Sequence, residues 1–149
     1  MNDFERMLVA DKDQSYIWIQ YMAFMLDKLD VEAARRVAER AVKSVNMTAE
    51  HEKLNVWIAF MNLESKFGTE ETLQSAVKRA LEVNDKKKVY LQLINIYRSN
   101  DKTEQIEDIY KKLCKKYFTS LEIWSGYLEF LFDMRKEDPE AHTEPKTIL

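Results

Sequence analysis

The 149-residue sequence predicts an all-α fold, a right-handed helical-repeat solenoid of antiparallel helix pairs, from three observations. An aromatic frame recurs as Trp18-x-x-Tyr21, Trp57-x-x-Phe60, Tyr90-x-x-Leu93 and Trp124-x-x-Tyr127. A second block follows the first three frames: Ala38-Glu39-Arg40-Ala41-Val42, Val77-Lys78-Arg79-Ala80-Leu81 and Tyr110-Lys111-Lys112-Leu113-Cys114, with an extra copy, Phe4-Glu5-Arg6-Met7-Leu8, opening the chain. The step from frame to block is the same each time, Trp18 to Ala38, Trp57 to Val77 and Tyr90 to Tyr110, whereas the step from block to next frame is longest between Ala38 and Trp57. A rigid helix pair on a variable connector accounts for this. Units that repeat at a period of roughly 35 residues and cannot bury their own apolar faces must stack on neighbours. Two glycines, two prolines beyond residue 138 and 33% charged residues agree with helices throughout.

Residues 2–10 read as a second helix without its first, so the chain is expected to start in mid-unit as part of a longer repeat region. The first pair covers 15–45: Trp18, Tyr21, Met22 and Met25 keep i, i+3, i+4, i+7 spacing, as do Ala34, Val37, Ala38 and Ala41, and Asp30 suits the cap of the second helix. The second pair covers 50–83, with an extra turn or loop in the lead-in 46–53 and a stop and cap in Phe67-Gly68-Thr69. The third covers 86–116, where Asp101-x-x-Glu104 resembles a capping box, and Thr119-x-x-Glu122 announces a fourth first-helix, 120–134. Its partner is missing, because Pro139 and Pro145 interrupt a polar segment, so 135–149 reads as a tail or linker.

Chemistry is sparse. His51 and His142 lack partners at metal-ligand spacing, Gly68 and Gly126 cannot build a phosphate loop, and Cys114 sits at an apolar position of the block. No catalytic, metal or cofactor site is expected, and the protein is not expected to be an enzyme. The longest apolar stretches, 21–26 and 56–61, fall far below the roughly 20 residues of a membrane span, so no membrane partner is expected. A lone cysteine fits a reducing compartment.

The aromatics Phe4, Trp18, Tyr21, Trp57, Phe60, Tyr90, Tyr110, Trp124 and Tyr127 are expected to pack between helices. Arg6, Arg40 and Arg79 recur within the block, and Arg40 and Arg79 are expected either to make a polar contact inside their own repeat or to bind a partner. The net charge is −3, yet residues 85–117 hold nine Lys/Arg against five Asp/Glu. Lys86, Lys87 and Lys88 occupy a helix start that prefers acids, a local cost that invites an external anion and makes them candidates for contact with RNA or an acidic partner, and Lys111, Lys112, Lys115 and Lys116 form a stripe. The stripe reads either as a solvated face paired with Glu107 and Asp108 or as a contact for RNA or an acidic partner.

The Trp-x-x-aromatic helix followed by Glu-Arg-Ala-Val or Lys-Arg-Ala-Leu resembles the half-a-TPR (HAT) repeat over nearly all of residues 2–134. Trp57-x-x-Phe60-x-x-x-Glu64 keeps the acid of the family's first-helix pattern, while Met25, Tyr97 and Leu131 replace it elsewhere; Lys112 stands where the second-helix arginine would be. The strings Asp3-Phe4-Glu5-Arg6-Met7-Leu8-Val9-Ala10 and Lys53-Leu54-Asn55-Val56-Trp57-Ile58-Ala59 are similar to the C-terminal repeat region of the ribosomal RNA-processing protein five (programmed cell death protein eleven) family. That resemblance implies a nucleolar, non-catalytic scaffold in pre-rRNA processing and ribosomal subunit assembly. Its implied partners are other pre-ribosomal proteins, with pre-rRNA or snoRNA as the alternative. Homologous HAT repeats of mRNA 3′-end-processing and splicing factors also imply a less favoured homodimer.

Overall fold

The computed structural model describes residues 2–137, with side chains through residue 136. Among them are eight α-helices and no strand: α1 (Asp3–Ala10), α2 (Ser15–Asp27), α3 (Val31–Ser44), α4 (Glu50–Phe67), α5 (Glu70–Val83), α6 (Lys86–Ser99), α7 (Thr103–Lys116) and α8 (Leu121–Glu137). They divide into two compact units, with the boundary after Ile96, inside α6. Helix α8 outruns the expected end at 134. The remainder of the expected tail, from residue 138, lies outside the described residues, as does His142.

In the first unit α1 packs on α2, α2 on α3, α3 on α4 and α4 on α5, and the first-helices α2 and α4 also touch. Helix α3 makes this closeness possible: Ala34, Ala38 and Ala41 are fully buried, and their lack of bulk lets neighbouring backbones approach. Around them Trp18, Tyr21, Met22, Val56, Trp57, Phe60 and Met61 fill the spaces at no more than 5% exposure, which places the frame aromatics of the first two repeats in the core, while Phe4, Tyr90 and Trp124 are half-buried. In the second unit α7 packs on α8 through Ile106, Ile109, Tyr110, Leu113, Ile123, Tyr127 and Phe130.

One aromatic stack occurs in both units. Phe4 of α1 lies parallel to Tyr21 of α2, centroids 5.1 Å apart, and Tyr110 of α7 lies parallel to Tyr127 of α8 at 5.4 Å. In each case the first residue of a block meets the second aromatic of the next frame, at the same separation along the chain. Gly126 makes room for the second stack, since a Cβ there would lie 2.9 Å from the Tyr110 hydroxyl oxygen.

The ends of the helices follow local chemistry. Asp30 accepts from the Ala33 N–H at 3.0 Å, and Thr69 and Thr72 cap α5 reciprocally. Two expected caps move. Helix α8 is capped by Ser120, whose hydroxyl accepts from Ile123 N–H at 3.4 Å, and not by Thr119. Asp101 does not cap α7; it ends α6 in the left-handed region at φ 57°, and the next N–H, of Lys102, returns to the Tyr97 carbonyl at 3.0 Å. Leu29 ends α2 by the same device, with Asp30 N–H reaching the Met25 carbonyl at 3.1 Å.

Leu29 sits at φ 59° and is 90% exposed, so its side chain gives little packing in return for the conformation. A non-glycine residue there carries roughly 1–2 kcal/mol of strain. Leu29→Asn is expected to raise stability by about 0.5–1 kcal/mol in urea melts, because asparagine tolerates this region. A loss of stability would show that Leu29 packs.

Candidate functional site

The recurring arginines bridge successive repeats, which corrects the expectation of a contact within one repeat. Arg40 of α3 donates two hydrogen bonds to Glu5 of α1, at 2.7 and 2.8 Å, and Arg79 of α5 donates two to Glu39 of α3, at 2.6 and 2.9 Å. Each guanidinium also lies over the tryptophan of its own repeat: Arg40 is 5.4 Å from the Trp18 ring centroid, and Arg79 is 5.1 Å from that of Trp57. Each arginine therefore joins its own first helix to the second helix before it. Arg6 differs, forming its ion pair with Asp3 one turn away on the exposed side of α1.

A second inter-repeat bridge uses the acid of the family pattern. Glu64 of α4 is 4% exposed and accepts from Arg35 Nε at 2.8 Å, while Arg35 also reaches Glu32 at 2.6 Å. Sequence reasoning missed Arg35, because nothing at constant spacing marks it. A third link closes the start of α2: Ser15 N–H donates to Glu52 of α4 at 2.6 Å, supplying a cap that Gln14 does not provide.

These bridges make stability depend on acid. The Arg40 hydrogen bonds hold the Glu5 carboxyl at about 2, below its ordinary 4.5, with the Tyr21 hydroxyl adding to the effect; Arg79 lowers Glu39 likewise. Carboxyls depressed in the folded state stabilise it above their unfolded value, and that contribution disappears as pH falls through the folded one. For Glu5 the window runs from 4.5 down to about 2. The expected result is an unfolding midpoint that drops as pH falls from about 5 towards about 2, with a shallower drop in Glu5→Gln/Glu39→Gln. Each bridge is half-exposed at its arginine and contributes less than about 1 kcal/mol. Equal slopes in the two proteins would contradict this assignment.

Between α3 and α5, floored by α4, lies an open cleft of about 590 Å³. It exists because α5 places Thr72, Ser75 and Ala76 opposite the long Arg35 and Arg36 of α3.

The lysine-rich segments belong to different units. In the first, Lys86 reaches the Leu81 carbonyl at 3.4 Å, Lys87 makes further contacts, and Lys88 lines a cleft together with Asn84 and His51. In the second, Lys111 stands 3.6 Å from Glu107, Lys112 also has a partner, Lys116 lies over the Tyr117 ring, and Lys115 is exposed. Tyr90, half-buried in α6, likewise makes contacts.

On α8, Phe118, Leu121, Leu128 and Phe132 are exposed at or beside the helix, and Trp124, half-buried, donates its indole N–H to the Phe118 carbonyl at 2.8 Å. Trp18 makes the same bond to the Lys12 carbonyl, also at 2.8 Å, but is 2% exposed beneath Arg40. Cys114 is buried, which pushes its thiol above the usual range. Among the described residues no group of His, Cys, Asp and Glu could hold a metal, and no helix is long and apolar enough to cross a membrane.

Residues 1–86 match the model of the pre-mRNA-splicing factor Syf1/CNRKL1 N-terminal HAT repeat. The chain is 38% identical over 130 residues to the Protein RRP5 homolog of Homo sapiens, covering 87% of this chain and 7% of that protein. It is 38% identical over 125 residues to the rRNA biogenesis protein RRP5 of Arabidopsis thaliana (83% of this chain, 6% of that protein). Against rRNA biogenesis protein rrp5 of Schizosaccharomyces pombe it is 35% identical over 140 residues (94% and 8%). The chain thus spans less than a tenth of the length of these relatives. With the frame aromatics of its first two repeats buried and with Arg40 and Arg79 bridging successive helix pairs, the chain belongs to the HAT-repeat family, as an RRP5-like HAT repeat region.

Proposed function

We propose that this chain is the non-catalytic, interaction-bearing repeat segment of a ribosome-biogenesis factor, active in the nucleolus in pre-rRNA processing and subunit assembly, where it holds another pre-ribosomal protein. The observation that carries the reading is the pairing of RRP5-like sequence with a stack of helices in which Arg35, Arg40 and Arg79 are used to bridge successive repeats. Such an array offers grooves and exposed helix faces to a partner. Affinity purification of the repeat region from nucleolar extract, with nuclease treatment, tests it. Pre-ribosomal proteins retained after nuclease are expected; their complete loss would overturn the reading.

A second reading, direct contact with pre-rRNA or snoRNA, is favoured by Lys115, which is exposed and has no ion-pair partner among the described residues. Steeply salt-dependent binding of structured pre-rRNA, lost in Lys111→Glu/Lys115→Glu, would support it. Salt-insensitive or absent binding would remove it.

A further inference from the structure

Lys53, in the first turns of α4, is 8% exposed, and among the described residues it has no ion pair; its ammonium donates to the Met47 carbonyl at 3.2 Å. The other buried polar side chains are matched, Glu64 by Arg35 and Ser15 by Asn55. A buried charge without a counter-ion is costly. Lys53 lines a cleft of about 540 Å³ between the start of α4 and the connector from α5 to α6, together with Glu50, His51, Asn84, Asp85 and Lys88. Asn84 donates to the Ala80 carbonyl at 2.9 Å, but its Oδ1 is buried without a hydrogen-bond partner. A buried acceptor of that kind calls for a donor from outside the chain.

The formal charges of the cleft cancel, Lys53 and Lys88 against Glu50 and Asp85. The backbone tips the balance. Two helices begin here, α4 at Glu50 and α6 at Lys86, and each helix start carries roughly half a positive charge. Asp85 is already used as the cap of α6, accepting from the Lys88 N–H at 3.2 Å, whereas Ala49 has no side chain with which to cap α4, so the first N–H groups of α4 are open. Both carboxylates are exposed, where water and salt screen them, while Lys53 is buried. We propose that this cleft binds inorganic hydrogen phosphate, the doubly charged anion that keeps one O–H, between Lys53 and the start of α4. Its charged oxygens accept from Lys53 and the α4 N–H groups, and its O–H donates to Asn84 Oδ1. Sulfate has the charge without the proton, and a phosphate inside an RNA strand has neither the second charge nor the proton.

Isothermal titration calorimetry of the full chain with sodium phosphate, near neutral pH and at constant ionic strength, tests the site. Saturable binding is expected, about fivefold or more tighter than that of sulfate. Lys53→Met should weaken it about tenfold or more and Lys88→Ala by less, while Lys66→Met, in the last turn of α4, should leave it unchanged. Asn84→Leu should bring phosphate and sulfate to equal affinity, because it removes the acceptor that reads the proton. Circular dichroism confirms that the variants are folded, and Lys88→Ala, at an exposed residue, carries the test should Lys53→Met unfold. Heats that do not saturate, sulfate bound as tightly as phosphate, or undiminished binding by the lysine variants would each overturn the proposal. So would tighter binding of phosphoserine or of cytidine monophosphate than of phosphate, which would give the cleft to a phosphate monoester instead.

Discussion

Trp57→Ala is expected to lower the unfolding free energy of the chain by about 3–5 kcal/mol in denaturant melts, the cost of truncating a large aromatic whose cavity cannot close. Trp57 is 5% exposed, lies parallel to Phe60 at 5.8 Å, and carries the Arg79 guanidinium at 5.1 Å. The cavity would therefore open at the junction of α3, α4 and α5, and Arg79 would lose the surface that holds it toward Glu39. Trp124→Ala provides the comparison. It occupies the same frame position but is half-buried, so its truncation is expected to cost less than that of Trp57. A loss below about 1 kcal/mol for Trp57→Ala, or an equal loss at both positions, would contradict the packing described above.

The helices were legible because their apolar spacing is local and strong. Frame and block keep one separation in all three pairs, and the helical period within each element assigns the buried face without knowledge of neighbours. Caps were harder to place: Thr119 and Ser120 are adjacent candidates of similar chemistry, and it is Ser120 that accepts from the Ile123 N–H. Asp101 fits a capping pattern equally well, yet Asp is also among the few side chains that tolerate the left-handed region, and here it takes that role.

The arginine bridges were visible as residues but not as pairs. Arg40 reaches back to Glu5 and Arg79 to Glu39, two separations that differ because the connectors between repeats differ in length. Constant spacing inside a unit therefore could not reveal a contact between units of the repeat. Glu5 and Glu39 each stand directly before a block arginine, and this was the available signal. At the corresponding position of the next block the sequence has Lys78, so the same acid-to-arginine pattern cannot extend beyond Arg79.

Arg35→Ala is expected to destabilise the chain by about 2–3 kcal/mol, more than the loss of either half-exposed bridge. The reason lies in what remains. Glu64 is 4% exposed and its carboxylate accepts from Arg35 at 2.8 Å, so removing the guanidinium leaves a buried charge without its counter-ion. Glu64→Gln in the Arg35→Ala background removes that charge at nearly constant shape, and the double variant is expected to recover about 1 kcal/mol or more relative to Arg35→Ala alone. A double-mutant cycle in urea measures this coupling directly. Purely additive losses would mean that the pair is screened by water and that α3 and α4 are held by apolar packing alone.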